Sequence, residues 1–280
     1  MKLLAYALLV AGGFLLASLL AFWLAVRPPR LTIPFTPAEY RLAVEDVTIA
    51  ADDGARLAGW WLPRPGAPAV ILLHGYPAEK ADLLPIAAAL APRFAVLLMD
   101  LRYFGRSEGR ATTLGFRERG DLTRALDFLA ARGHAGAGVF GFSLGGAIAL
   151  LTAVEEPRIR AVAAYAPFAD LRMLGRELYG WLGPLARPLV ELMLVWARLF
   201  LGHDIATPAP VATVAALRTP VLLVASREDE QIPFAHAERL ARALAANPRA
   251  ELLFMAHGRH GALPPDFEAR LAAFFLLYVR

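Results

Sequence analysis

The chain has 280 residues, 58% of them hydrophobic and 19% charged, and it contains no cysteine. That balance excludes a disordered or solvating chain, and the missing thiols exclude disulfide scaffolds, thiolate zinc sites and cysteine nucleophiles. The net charge of +4 rests almost wholly on arginines, with Lys2 and Lys80 the only lysines. These charges are scattered and form no patch, so no nucleic-acid partner is expected.

Leu3 to Val26 carries no charge and is bounded by Lys2 and by Arg27-Pro28-Pro29-Arg30. As a helix it would be roughly 36 Å long, more than the ~30 Å hydrocarbon core of a bilayer. A secretory signal has an apolar core of about 7–15 residues followed by small residues at the cleavage site. Here Phe22, Trp23 and Leu24 stand where small residues would be needed. The pattern predicts a single N-terminal transmembrane anchor with its flank over residues 1–30, with Trp23 suited to the interfacial belt. Lys2 lies on one side of the span and Arg27, Arg30 and Arg41 on the other, so the charge cues conflict over which membrane face carries the body.

From residue 31 onward apolar runs alternate with helical stretches. Strands are expected at Val44–Ala50, Leu57–Leu62, Ala69–His74, Phe94–Asp100, Gly138–Phe142, Ala161–Tyr165, Val221–Ala225 and Glu251–Ala256. Runs such as Val70-Ile71-Leu72-Leu73 are uninterrupted, as in strands covered on both faces of a parallel sheet. Helices are expected at Asp82–Leu90, Arg119–Arg132, Leu144–Val154, Phe234–Asn247 and Asp266–Tyr278. This order implies an α/β fold, a mostly parallel eight-stranded sheet flanked by helices, in one domain over residues 31–280. Residues 167–214 hold no good strand, and Leu178–Leu201 is strongly apolar but broken by Pro184, Arg187, Pro188, Glu191 and Arg198. A second membrane span is therefore not expected; a helical lid over the sheet's carboxyl edge is.

Gly141-Phe142-Ser143-Leu144-Gly145 follows a strand and opens a helix, which is the Gly-x-Ser-x-Gly nucleophile elbow in its strand–turn–helix setting. A serine hydroxyl needs a base to take its proton and an acid to orient that base, and here the order along the chain is serine, acid, histidine. The loop after Val221–Ala225 offers Glu228, Asp229 and Glu230, of which Asp229 is best placed. The loop after Glu251–Ala256 offers His257 and His260; His260, just before Gly261 and the last helix, is preferred. An oxyanion hole needs two backbone N–H groups: Leu144 supplies one, and Tyr76, in the loop after Ala69–His74, is the candidate for the other. His74 is expected to buttress that loop.

Together these elements resemble the α/β-hydrolase fold superfamily, notably its serine aminopeptidase and lysophospholipase-like branch. The resemblance rests on His74-Gly75, Asp100-Leu101-Arg102-Tyr103-Phe104-Gly105-Arg106-Ser107, the elbow, Asp229 with Pro233, and His260-Gly261, and covers about residues 45–280. It implies Ser143 as nucleophile, Asp229 as acid, His260 as base, Tyr76 and Leu144 as oxyanion donors, and a structural role for the loop from Asp100. Tyr103 and Ser226 stand where that branch usually has glycine.

The expected activity is a membrane-anchored serine hydrolase cleaving an ester, thioester or amide, with a small-molecule or lipid-like acyl substrate. No metal or organic cofactor is expected, since neither a metal-ligand spacing nor a dinucleotide Gly-x-Gly-x-x-Gly is present. An aminopeptidase would need a lid carboxylate for the substrate amine, for which Glu177, Glu191, Asp170 and Asp204 are the candidates. A non-catalytic membrane scaffold that keeps the hydrolase fold is the alternative from another class.

Overall fold

In the computed structural model, which describes residues 1–279, α1 (Lys2–Val26) leads into an α/β body. The strands are β1 (Glu45–Ala50), β2 (Arg56–Leu62), β3 (Ala69–Leu73), β4 (Ala95–Met99), β5 (Ala137–Phe142), β6 (Ile159–Tyr165), β7 (Val221–Ser226) and β8 (Ala250–Met255). They form one sheet in the order β1-β2-β4-β3-β5-β6-β7-β8. β1–β2 and β2–β4 pair antiparallel, and the remaining pairings, from β4–β3 to β7–β8, are parallel. The eight apolar runs are therefore the eight strands, with ends shifted by one or two residues.

Between and after the strands lie α2 (Leu84–Leu90), α3 (Glu118–Ala130), α4 (Leu144–Ala153), α5 (Leu171–Leu178), α6 (Ala186–Leu201), α7 (Pro210–Thr213), α8 (Ala235–Ala243) and α9 (Phe267–Tyr278). Successive strand residues point to opposite faces, and both faces are covered. Ile71 and Leu73 pack with Leu126 of α3, Ile148 of α4 and Leu240 of α8. Val70 and Leu72 pack with Ile86 of α2 and Phe275 of α9. This double cover is why the central strands read as unbroken apolar runs.

The chain from β3 runs one way to β4 and later returns to β5 on the other side of β3. A crevice opens at the carboxyl ends of strands flanking such a reversal. Tyr76 follows β3 and Ser143 follows β5, so the reversal places both at that crevice. The segment between β6 and β7 contains no strand; its regular elements are α5, a short 3₁₀ stretch at Gly180–Leu185, α6, α7 and a 3₁₀ turn at Val214–Ala216.

α1 is long and apolar enough to cross a membrane. Its first half is exposed, but its second half packs on the body through an i, i+4 stripe of Ser18, Phe22 and Val26. Phe22 stacks on Phe200 of α6 with centroids 6.2 Å apart, and Trp196 Nε1 donates to Ser18 Oγ at 2.9 Å. Beyond the helix, Thr112 N–H donates to the Val26 carbonyl at 3.0 Å. Ser18→Ala should leave the Trp196 indole N–H without its acceptor and lower stability by about 1–3 kcal/mol, read from the thermal midpoint of the detergent-solubilised chain.

Tyr103, one of the two departures from the branch pattern, sits at φ 74°. A bulky residue is rarely held in that left-handed region. Its hydroxyl donates to the Pro28 carbonyl at 2.8 Å, and the Arg30 guanidinium lies 4.9 Å from its ring centroid. The side chain that glycine would lack thus ties the body to the exit of α1.

Candidate active site

The elbow is built by close backbone approach. A Cβ on Gly141 would collide with the backbone of Gly145, and one on Gly145 would collide with the Leu73 carbonyl. Ser143 itself takes φ 51°, ψ −113°, outside the regions L-residues normally occupy. Its N–H donates to the Tyr165 carbonyl at 2.7 Å, which clamps the bend to β6. Ser143 is the N-cap of α4, so its side chain stands at the positive end of that helix.

Asp229 and His260 meet. Asp229 Oδ2 lies 2.7 Å from His260 Nδ1, and both side chains are buried. The other carboxylate oxygen accepts from the N–H groups of Gln231 at 2.9 Å and Ile232 at 2.8 Å, so the carboxylate cannot rotate freely. An ionised carboxylate only accepts hydrogen bonds, which puts the imidazole proton on Nδ1 and leaves the Nε2 lone pair open. The ring of His260 lies 4.8 Å from that of Phe142, the residue before Ser143. The Ser143 hydroxyl makes no hydrogen bond to His260 Nε2 among the described residues; such bonds commonly tighten when substrate binds.

The other loop groups separate cleanly. Glu228 pairs with His257 at 2.7 Å on the exposed surface. Glu230 accepts the His260 backbone N–H at 3.0 Å, and Tyr165 donates its hydroxyl to the Ala262 carbonyl at 2.6 Å. These two contacts hold the histidine loop from both sides and had no signal in the spacing of motifs. Ser226, the second departure from glycine, accepts the Glu228 N–H at 3.2 Å and so closes the acid loop with its hydroxyl.

Tyr76 and Leu144 both line a cavity of about 490 Å³ that reaches Ser143, and neither N–H donates a hydrogen bond among the described residues. Burial, with Tyr179 and Tyr103 nearby, pushes the Tyr76 phenol up to about 12, so that wall stays uncharged. His74 braces the same loop: Leu101 N–H donates to its Nε2 at 2.9 Å, and its Nδ1–H faces the Gly75 carbonyl at 2.7 Å. From Asp100 the next loop is structural in its contacts, with Arg102 bridging Asp121 at 2.6 and 2.7 Å and Asp53 at 2.8 Å.

The lid covers the cavity with Leu174, Leu178, Val190 and Leu194. It is fastened to the body by His236, which is fully buried, accepts the Ala169 N–H at Nδ1 (2.9 Å) and donates from Nε2 to Glu177 at 2.7 Å. His236 is thus a connector between α8 and the lid. Burial lowers the pKa of both His74 and His236 below the ordinary 6.5. In the folded chain they stay neutral while the unfolded chain protonates. Their stabilisation is therefore complete above pH 6.5 and is lost as pH falls from 6.5 toward their folded values. The slope cannot exceed about 1.4 kcal/mol per pH unit for each histidine, and His236→Asn should make the fall shallower in a series of thermal midpoints.

A family model described as the α/β-hydrolase fold matches residues 68–184. An uncharacterized protein of Mycobacterium tuberculosis is 32% identical over 214 residues, which span 74% of this chain and 69% of that protein. The α/β-hydrolase domain-containing protein WAV2 of Arabidopsis thaliana is 26% identical, over 81% of this chain and 75% of its own. Among solved structures, the Pyrococcus furiosus esterase Pf2001 superposes with a TM-score of 0.74 at 24% identity, covering 90% of this chain and 99% of the esterase. A bacterial membrane phospholipase A superposes with a TM-score of 0.63 at 21% identity, covering 98% of both chains. The chain belongs to the α/β-hydrolase fold family.

Proposed function

We propose that the protein is a membrane-anchored serine hydrolase that cleaves an acyl ester through Ser143, His260 and Asp229. The observation that carries this reading is the Asp229–His260 pair, whose imidazole lies 4.8 Å from the ring of Phe142, the residue before a strained serine that opens onto an apolar cavity. Ser143 Oγ attacks the ester carbonyl while His260 Nε2 takes its proton, and Asp229 stabilises the imidazolium that forms. The charge that develops on the carbonyl oxygen is held by the N–H groups of Tyr76 and Leu144. Collapse breaks the ester C–O bond as His260 protonates the departing alkoxide. Water, deprotonated by His260, then attacks the acyl-enzyme and releases the acid and Ser143.

An acyl substrate is favoured over a peptide by the lid. Its four carboxylates are committed elsewhere: Glu177 to His236, Glu191 to Arg176 and Arg172, Asp204 to Arg172 and Arg198, and Asp170 to the Met173 N–H as the cap of α5. None of them lines the cavity, which leaves no carboxylate there to receive a substrate amine. The esterase and phospholipase A among the structural neighbours agree with this reading, and the length of α1 supports anchorage in a membrane.

Labelling with a fluorophosphonate should mark the wild-type chain and not Ser143→Ala, and p-nitrophenyl esters should be hydrolysed where aminoacyl-naphthylamides are not. A membrane-impermeant probe on intact and permeabilised cells reports the side of the membrane. An unlabelled wild-type chain without esterase activity would instead leave a tethered scaffold.

A further inference from the structure

The wall of the cavity is not made by the hydrolase body and lid alone. Phe22, Leu24, Ala25 and Val26, all from the last two turns of α1, line it together with Ser143, Tyr76 and the lid. Phe22 and Val26 are fully buried, so this part of α1 is fixed structure and no loose tether. The Val26, Pro28 and Ser18 contacts to Thr112, Tyr103 and Trp196 hold it in register with the site. Leu24 and Leu178 line the cavity yet are 58% and 55% exposed, which puts them where it opens to the outside. One rim of the mouth is therefore the lid, and the other is the same helix whose exposed first half is apolar and able to enter a bilayer.

We propose that the last turns of α1 are the specificity-determining wall for the acyl chain, and that the chain enters from the bilayer between Leu24 and Leu178. This rests on the serine-hydrolase reading and extends it: the substrate class is a membrane-resident acyl ester whose alkyl tail lies along α1 while its carbonyl reaches Ser143. Among the described residues no arginine or lysine lines the cavity, so a charged headgroup stays outside it and only the apolar tail is buried. The physical cause of selection is burial: each methylene taken from water into an apolar site adds to binding, provided the wall leaves room for it.

Two measurements on the full-length chain in detergent test this. In the first, Ala25→Phe projects a ring into the cavity and should lower the kcat/KM ratio for p-nitrophenyl laurate over butyrate by about tenfold or more. Leu277→Phe, on the exposed side of α9 and outside the cavity lining, should keep the wild-type ratio. A ratio within twofold of wild type in Ala25→Phe overturns the proposal. The second uses the unaltered chain and so does not depend on a variant folding. A long-chain alkyl fluorophosphonate carrying a diazirine along its tail is attached at Ser143 and irradiated. Adducts on the peptide containing residues 22–26 support the proposal, and adducts confined to other segments overturn it. If Ser143 takes up no fluorophosphonate at all, the hydrolase reading fails first, so the two failures are distinct.

Discussion

Asp229→Asn should lower kcat by about 10⁴-fold, the size expected when a triad imidazole is held in the wrong tautomer, while leaving the fold in place. Asp229 uses its two oxygens for different tasks: Oδ1 accepts the Gln231 and Ile232 N–H groups, and Oδ2 faces His260 Nδ1. Asparagine would keep its carbonyl oxygen on the two backbone donors, because its amide nitrogen cannot accept from them. Its NH₂ would then face His260 and donate to Nδ1. The imidazole proton would be forced to Nε2, the nitrogen that must take the proton of Ser143. Initial rates on a p-nitrophenyl ester and the rate of fluorophosphonate labelling should fall together, with the thermal midpoint little changed. Glu228→Gln is the contrast, since the Glu228 carboxylate pairs with the exposed His257 at the surface, and its rate should stay within about twofold of wild type. A loss smaller than tenfold in Asp229→Asn would remove Asp229 from the mechanism.

What could be read in the sequence and what could not follows from the range of each signal. The central strands announce themselves because helices cover both faces, so every residue of a run such as Val70–Leu73 is apolar. The elbow announces itself because backbone collisions at Gly141 and Gly145 allow no side chain there. Choosing Asp229 over its acidic neighbours, and His260 over His257, needed only chain order and position at a strand end, and the structure does bring that pair together. Contacts made by residues that carry no local pattern were hidden. Glu230 beneath the His260 N–H and His236 between α8 and the lid look like ordinary loop and surface residues until the chain is folded.

α1 is the clearest case of a signal masked by its surroundings. A helix apolar on every side reads as a membrane span, and nothing in its periodicity distinguishes the face that meets lipid from the face that meets α6. Ser18 was the one polar residue in the buried stripe and the only mark of it. The role of Tyr103 was hidden in the same way, since its hydroxyl reaches the chain leaving α1.

Lys80→Met should destabilise the protein by about 3–5 kcal/mol, the cost of leaving one member of a buried ion pair alone. Lys80, one of only two lysines in the chain, is 1% exposed and Asp100 is 0% exposed. Lys80 Nζ lies 2.5 Å from Asp100 Oδ2, and the ammonium also sits 4.6 Å from the centre of the Trp60 ring. Asp100 accepts two backbone N–H groups as well, from Lys80 at 2.8 Å and Arg106 at 2.9 Å. Methionine matches the volume of the lysine stem but offers the carboxylate nothing, so the two N–H groups would face a buried charge without its counter-ion. Asp100→Asn in the same chain removes that charge but keeps an oxygen for only one of the two backbone donors, because Lys80 N–H bonds Oδ1 and Arg106 N–H bonds Oδ2. The double variant should therefore recover part of the loss, the remainder being the one backbone N–H left without an acceptor, and the cycle should give a coupling of about 1–3 kcal/mol. Denaturant unfolding of the detergent-solubilised chain reads all three variants. Lys80 closes the segment that begins at Tyr76, so the single variant should also slow ester hydrolysis, as that N–H loses its fixed direction toward the carbonyl oxygen. A single variant as stable as wild type would show that the Asp100 charge is held by the backbone alone and that the lysine contributes only its stem.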